Sequence, residues 1–365
     1  TAIENRHDAD CINLVSSHTP HDNFPFSIWA KLMRHVLTYE GESTLNVPPT
    51  GGVMQLRQAI AKHLYEFRGI TVNPEQIIIG AGTEYLYGLI VQLLGRNISY
   101  GLENPSSKKI INIYKSLGVK VNYLDMDEEG VIPDCQGLND SQIIQISPSH
   151  HFPTGIVTSI SRRYGLLQWA NQSPDRYIIE DDYDSEFWYQ GRQAPTLYSM
   201  DGNGRVIYFN TFSKTLIPSL RISYMVLPYE LAMRYGNGLS FYSGTVPSME
   251  QYALAKFISE GYFERHINHM RNYFKSQRSM LMDAVRKSPL MGISRIHEIS
   301  SGTYFLLELD TPLSDTELVD RIIKKDINVA CTSAYMPEPH EDTHTLVINY
   351  CGVYAERIEE TIARI

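Results

Sequence analysis

The sequence predicts an α/β protein with a mostly parallel central sheet and a smaller α+β C-terminal domain. Two observations carry this. First, three apolar runs each abut polar chemistry. Tyr177-Ile178-Ile179 leads into Glu180-Asp181-Asp182-Tyr183, and Val206-Ile207-Tyr208-Phe209-Asn210 leads into Thr211-Phe212-Ser213-Lys214. The third, Ile222 to Leu227, follows Arg221 directly. Short β-branched and aromatic runs bounded by turn residues read as buried strands. Second, such runs alternate with helical periods up to Phe257, whereas strands and helices come in mixed order later.

Residues 1–40 read as an entry arm, with loop over His18, Pro20, His21 and Pro25 and a helix over Phe26–Tyr39 marked by Ile28, Leu32 and Val36. The histidines of 1–21 suit a solvated loop better than a ligand set. Pro48-Pro49-Thr50-Gly51-Gly52 is a turn that starts a helix with a stripe at Leu56, Ile60, Leu64 and Phe67, and Gly69 is its C-terminal stop.

Gln76 to Thr83 followed by Leu86, Leu89, Ile90, Leu93 and Leu94 reads as strand, glycine turn, helix. The free N–H groups and dipole at that helix start suit a phosphate; a purely structural turn is the other reading. The third glycine of a dinucleotide fingerprint is missing. Glu103 to Lys109 is a loop entering a helix that ends at Gly118, and Val119–Leu124 and Gln142–Ile146 are strands. The His150-His151 pair has no carboxylate or cysteine at ligand spacing, which favours loop packing over a metal.

Helices are expected over Ser161–Ala170, Pro247–Phe257 and Tyr262–Val285, the last bridging two domains over 262–286. Strands at Gly302–Leu309, Ile327–Cys331 and His344–Tyr350 alternate with helices at Ser314–Lys324 and Ala355–Ile365. The expected division is an arm 1–40, a large domain 41–260 and a small domain 261–365.

Composition bounds the function. The 365 residues are 43% hydrophobic and 20% charged, with a net charge of −9 and no long basic run, so the chain would not hold nucleic acid by its own field. No apolar run approaches membrane-spanning length. Cys11, Cys135, Cys331 and Cys351 are scattered without paired spacing, which points to a reducing, cytoplasmic setting without zinc. The chain opens on Thr1 without a signal-peptide pattern, the expectation for a fragment whose natural N-terminus is missing.

Ligands of open α/β sheets sit beyond the carboxyl ends of the strands. Asp181, Tyr183, Ser213 and Lys214 should therefore meet over one sheet edge, beside Arg221. A lone Ser-Lys pair is usually solvated surface, and Asp-Asp-Tyr-Asp also suits a helix start or an acidic metal loop. The joint pattern favours pyridoxal phosphate (PLP), with Lys214 forming the Schiff base and Asp181 keeping the pyridine nitrogen protonated.

Three stretches, Ile178 to Phe187, Thr211 to Arg221 and Ser147 to Gly155, resemble the fold-type I, aminotransferase-like effector domain of the MocR-type regulators of the GntR family. The resemblance spans nearly the whole chain. It implies a PLP-binding homodimer that senses an effector, with DNA bound only through an upstream winged-helix domain. It implies Lys214 as the Schiff-base lysine, Asp181 on the pyridine nitrogen and Tyr183 on the ring phenolic oxygen, with Gly82, Thr83, Thr211, Ser213 and Arg221 holding the phosphate.

The departures from that pattern are informative. Ser107 stands where relatives carry an aromatic residue that stacks on the ring, Lys109 where some carry a ligand-engaging arginine, and Phe152 at the asparagine of Asn-Pro-Thr-Gly. Val347 takes the place of the arginine that grips a substrate α-carboxylate in aminotransferases. A bidentate arginine supplies charge-assisted hydrogen bonds of roughly 1.5–3 kcal/mol each, which valine cannot replace. The expected effector is thus PLP alone or an amino compound such as a D-amino acid or dipeptide, with Lys108 and Lys109 meeting any carboxylate. The alternative is an active aminotransferase, for which Lys214, Asp181 and Tyr183 suffice.

Overall fold

The structure, a computed structural model, describes residues 11–15, 21–189, 193–299 and 301–365. His7 and His18 of the expected arm lie outside the described residues.

A central sheet is built from β1 (Ile77–Gly80), β2 (Ser99–Asn104), β3 (Lys120–Asp127), β4 (Gly130–Val131), β5 (Ile143–Ile146), β6 (Tyr177–Asp181), β7 (Val206–Thr211) and β8 (Ser223–Val226). Its spatial order is β1-β8-β7-β6-β5-β2-β3-β4. β8 and β4 run antiparallel to their neighbours, and every other pairing is parallel. The β5, β7 and β8 strands are buried at every residue, as continuous apolar runs demand when helices cover both faces.

The helices follow their stripes. Phe26–Tyr39 has the bounds read from its periodicity, and Met54–Arg68 stops at Gly69, whose φ of 68° is the left-handed cap. Thr83–Leu94 buries Leu86, Leu89, Ile90 and Leu93 against the sheet. Asp315–Ile323 opens on a reciprocal Ser314–Glu317 capping box.

A second, antiparallel sheet comprises β9 (Ser294–His297), β10 (Tyr304–Leu309) and β11 (Thr345–Asn349). The expected strand 327–331 is only Ile327–Asn328, paired in parallel with Ile12–Asn13, so the arm is stitched to the C-terminal region. The 26-residue helix Tyr262–Lys287 turns Phe263, Ile267, Met270, Phe274, Leu281 and Val285 inward. Through it one apolar core runs from Leu56 and Tyr208 to Phe305 and Ile348.

Sequence reading left β2, β9 and the helix Tyr229–Gly238 unassigned. β2 reads Ser-Tyr-Gly-Leu-Glu-Asn, a poor strand sequence by propensity. Tertiary packing overrides it: a Cβ on Gly101 would lie 2.7 Å from Leu124 and 2.8 Å from Ser141. Among the described residues no helix is long and apolar enough to cross a membrane.

Candidate cofactor site

Strand register builds the site. Gly80 pairs with Ser223, and Ser223 with Thr211, so one row crosses β1, β8 and β7. β8 runs against the other two, so its beginning lies at their ends. That brings the Gly82-Thr83 turn, Arg221 and the Ser213-Lys214 segment to one sheet edge. Asp181, the last residue of β6, pairs with Phe209 two residues before β7 ends. A cavity of about 440 Å³ opens there, lined by Thr83, Asp181, Tyr183, Thr211, Lys214 and Arg221 among others.

At one end Arg221 sits in the left-handed region, φ 50°, immediately before β8. Its guanidinium lies over Gly82, whose φ is 91°; a Cβ on Gly82 would fall inside that guanidinium. Thr211 caps the short helix Phe212–Thr215 by accepting from the Ser213 amide at 3.1 Å, and Ser223 Oγ donates to Thr211 Oγ1 at 2.7 Å. Ser213 Oγ is buried without a partner. Glu84, which the sequence reading did not single out, bridges this end. One carboxylate oxygen accepts from Arg221 Nη2 at 2.8 Å and the other pairs with Lys109 Nζ. Those bonds, the one from Lys109 first, hold Glu84 below the usual carboxylate range.

At the other end Asp181 Oδ2 accepts from Tyr87 Oη at 2.8 Å and from Gln145 Nε2 at 3.4 Å, while Oδ1 is buried without a partner. Burial pushes the Asp181 carboxyl up to about 6, against the Tyr87 hydrogen bond. Burial likewise lowers the Lys214 ammonium, favouring the neutral amine, while Cys351, Asp184 and Asp181 oppose it. Tyr183 Oη donates to the His150 carbonyl at 3.1 Å. Glu103, buried beside the Ser147 amide, is pushed up to about 8, and its Oε1 has no partner.

The structure gathers Thr83, Ser107, Lys109, Asp181, Tyr183, Thr211, Ser213, Lys214 and Arg221 around the cavity, with Gly82 beneath Arg221. It does not bring Lys108 there. Successive helical residues point about 100° apart, and at the start of Lys108–Ser116 Lys108 faces solvent while Lys109 is engaged by Glu84. The paired histidines are packing groups. His150 Nδ1 lies 2.7 Å from Asp184 Oδ2, and His151 bonds Thr154 Oγ1 and the Pro105 carbonyl. Two partners of Asp181 had readable signals: Tyr87 lies one helical turn after Thr83, and Gln145 is the polar residue inside the apolar run of β5.

Residues 9–365 match the family model for aminotransferase class I and II. The uncharacterized HTH-type transcriptional regulator YdeL of Bacillus subtilis (strain 168) is 36% identical over 344 residues, 94% of this chain and 73% of that protein. The probable rhizopine catabolism regulatory protein MocR of Rhizobium meliloti is 31% identical over 93% of this chain and 68% of its own length. The fold matches the multiple substrate aminotransferase of Thermococcus profundus at a TM-score of 0.85 with 23% identity, covering 100% of this chain and 94% of that one. An archaeal alanine:glyoxylate aminotransferase matches at 0.86 with 21% identity, covering 97% and 89%. The cofactor implied is PLP, and the donor set fits it. Asp181 Oδ1 is an unpartnered buried acceptor suited to a protonated ring nitrogen, and Arg221 with Ser213 Oγ suits a phosphate. The chain belongs to the aminotransferase class I and II family, on the branch of the MocR-type transcription regulators.

Proposed function

We propose that the chain is the effector-sensing part of a bacterial transcription regulator, with PLP held covalently on Lys214. The observation that carries this is the convergence of Lys214, Asp181 and Arg221 on one cavity, where Asp181 Oδ1 and Ser213 Oγ are buried without partners. Bound PLP supplies an electrophilic carbon for an incoming amine. The chain does the rest. Lys214, its ammonium disfavoured by burial, would offer its amine for the linkage. Asp181 would accept the ring N–H on Oδ1, which is buried without a partner, and such an ion pair would favour its ionised form. Tyr183, which lines the cavity, would serve the ring oxygen. Arg221, Ser213, Thr211 and the Gly82-Thr83 helix start hold the phosphate, for which Arg221 must exchange Glu84.

An effector, PLP itself or an amino compound, then shifts the conformational balance through its different contacts in two states. Lys109 lines the same cavity and would meet an effector carboxylate. The relatives are named as HTH-type regulators, which supports DNA binding through a winged-helix domain joined upstream and a homodimeric assembly. Within the chain, the 41–260 and 261–365 units are read as large and small domains joined by the helix over 262–286. The second reading, an active aminotransferase, is favoured by the family match itself.

The test is Lys214→Ala. It should abolish the visible absorbance of the lysine-linked cofactor while circular dichroism stays native. A persistent band would move the linkage to another lysine. Keto acid released on mixing wild type with an amino acid would select the aminotransferase.

A further inference from the structure

Beyond the residues assigned to the cofactor, the cavity wall is aromatic and aliphatic. Phe152 meets Tyr304 edge-on at 5.5 Å between ring centres and Tyr335 edge-on at 4.9 Å. Val347, buried on β11, packs in the same cluster with Tyr304, Leu306 and Ile299. Val15, from the arm, closes the cavity alongside Phe152 and Tyr335. Such a surface gains by covering an apolar tail.

The charge of the lining has the opposite character. Among the described residues the cavity carries four carboxyls and three bases, Lys109, Lys214 and Arg221; of the carboxyls, Glu103 is held toward its neutral form by burial, Glu84 is ion-paired and Asp181 is assigned to the ring nitrogen, which leaves Asp184. Arg221 is taken by the phosphate on the reading above, and Lys109 is engaged by Glu84. Lys214 is the attachment point on the reading above. His151 is held neutral by burial, with both ring nitrogens already bonded. A cofactor phosphate adds further negative charge. A carboxylate entering this cavity would lose water and find each of these bases already committed, a cost that only a desolvated cation partner offsets. An ammonium meets Asp184, which lines the same cavity.

We propose that the effector is a primary amine without a carboxylate, carrying an aromatic or branched aliphatic tail. The amine faces Lys214 and Asp184, and the tail lies on Phe152, Tyr304 and Tyr335. This rests on the PLP reading of the site and narrows its ligand class; an α-amino acid or dipeptide would leave its carboxylate without a cation partner among the described residues.

The test is calorimetric titration of the PLP-loaded chain with 2-phenylethylamine and with L- and D-phenylalanine, which differ from it by the carboxylate. The amine should bind about tenfold tighter or better, the cost of leaving one desolvated charge unpaired. Phenylalanine of either hand binding as tightly overturns the proposal, and so does absence of binding by all three. Val347→Arg, which adds a guanidinium in the cluster beside Tyr304, should narrow or reverse the preference. Should that variant not fold, Tyr335→Ala serves: it should weaken the amine about tenfold through lost apolar contact while PLP uptake is unchanged. Unaltered amine affinity there also overturns the proposal. A chain that takes up no PLP sinks the cofactor reading instead, an outcome visible in the absorption spectrum before any amine is added.

Discussion

Asp181→Asn separates the cost of a buried charge from its use. Burial raises this carboxyl from 3.8 to about 6, even with the Tyr87 hydrogen bond working the other way. At about 1.36 kcal/mol per pKa unit, keeping Asp181 ionised inside the fold costs about 3 kcal/mol. The folded chain binds this proton more tightly than the unfolded chain does. The penalty is therefore absent below the unfolded value, grows as pH climbs through the interval, and is complete above about 6. Asparagine keeps an oxygen for Tyr87 and Gln145 and carries no charge. The PLP-free variant should thus gain up to about 3 kcal/mol at pH 8, with the gain shrinking toward pH 5. Urea denaturation followed by fluorescence at both pH values measures it, read as a rise in midpoint at constant slope. PLP affinity should fall in the same variant, because an amide cannot hold the ring proton. A PLP-free variant that is less stable at pH 8, or one that binds PLP as tightly as wild type, would refute this account of Asp181.

Gly82→Ala should weaken PLP about tenfold by displacing Arg221 and straining a φ of 91°, with pyridoxal, which lacks the phosphate, bound as before. Paired equilibrium titrations of the two compounds decide it, and equal losses for both would remove Arg221 from the phosphate role. Glu103→Gln should stabilise the PLP-free chain increasingly between pH 5 and 9, because burial raises Glu103 from 4.5 to about 8 and its ionisation penalty sets in across that interval. Thermal melts across the range test this; a flat difference would mean that Glu103 is not the group titrating.

What was legible in the sequence follows from how each feature is specified. β6, β7 and β8 are continuous apolar runs, buried on both faces, so the strands and the polar residues that end them were readable together. Asp181, Lys214 and Arg221 stand at those ends, which is why they were found. β2 was invisible because its own residues do not favour a strand; it is held by pairing on both sides to β3 and β5. Glu84 and Glu103 are single charges without local pattern. Only the register that lays β1, β8 and β7 side by side gives Glu84 an arginine, and only burial gives Glu103 its altered acidity. Lys108 and Lys109 look equivalent in sequence and are parted by one residue's rotation at a helix start.

The site's discomfort is also its means of responding. Asp181 Oδ1, Glu103 Oε1 and Ser213 Oγ are buried without partners, and the two carboxyls are driven toward their neutral forms. No requirement of the fold explains them, since apolar residues of similar size would pack there at less cost. A ligand bringing a protonated nitrogen and phosphate oxygens answers Asp181 and Ser213 at once, so occupied and unoccupied chains differ strongly in free energy. That difference acts at the meeting of β6, β7 and β8; Tyr208 of β7 and Tyr224 and Val226 of β8 share one continuous core with Phe274 and Leu281 of the long helix and Phe305 and Ile348 of the second sheet. Close-packed cores rearrange between discrete arrangements rather than deform gradually. Occupancy at the sheet edge can therefore be felt as a change in how the long helix and the C-terminal sheet sit, the kind of output a sensing domain must deliver.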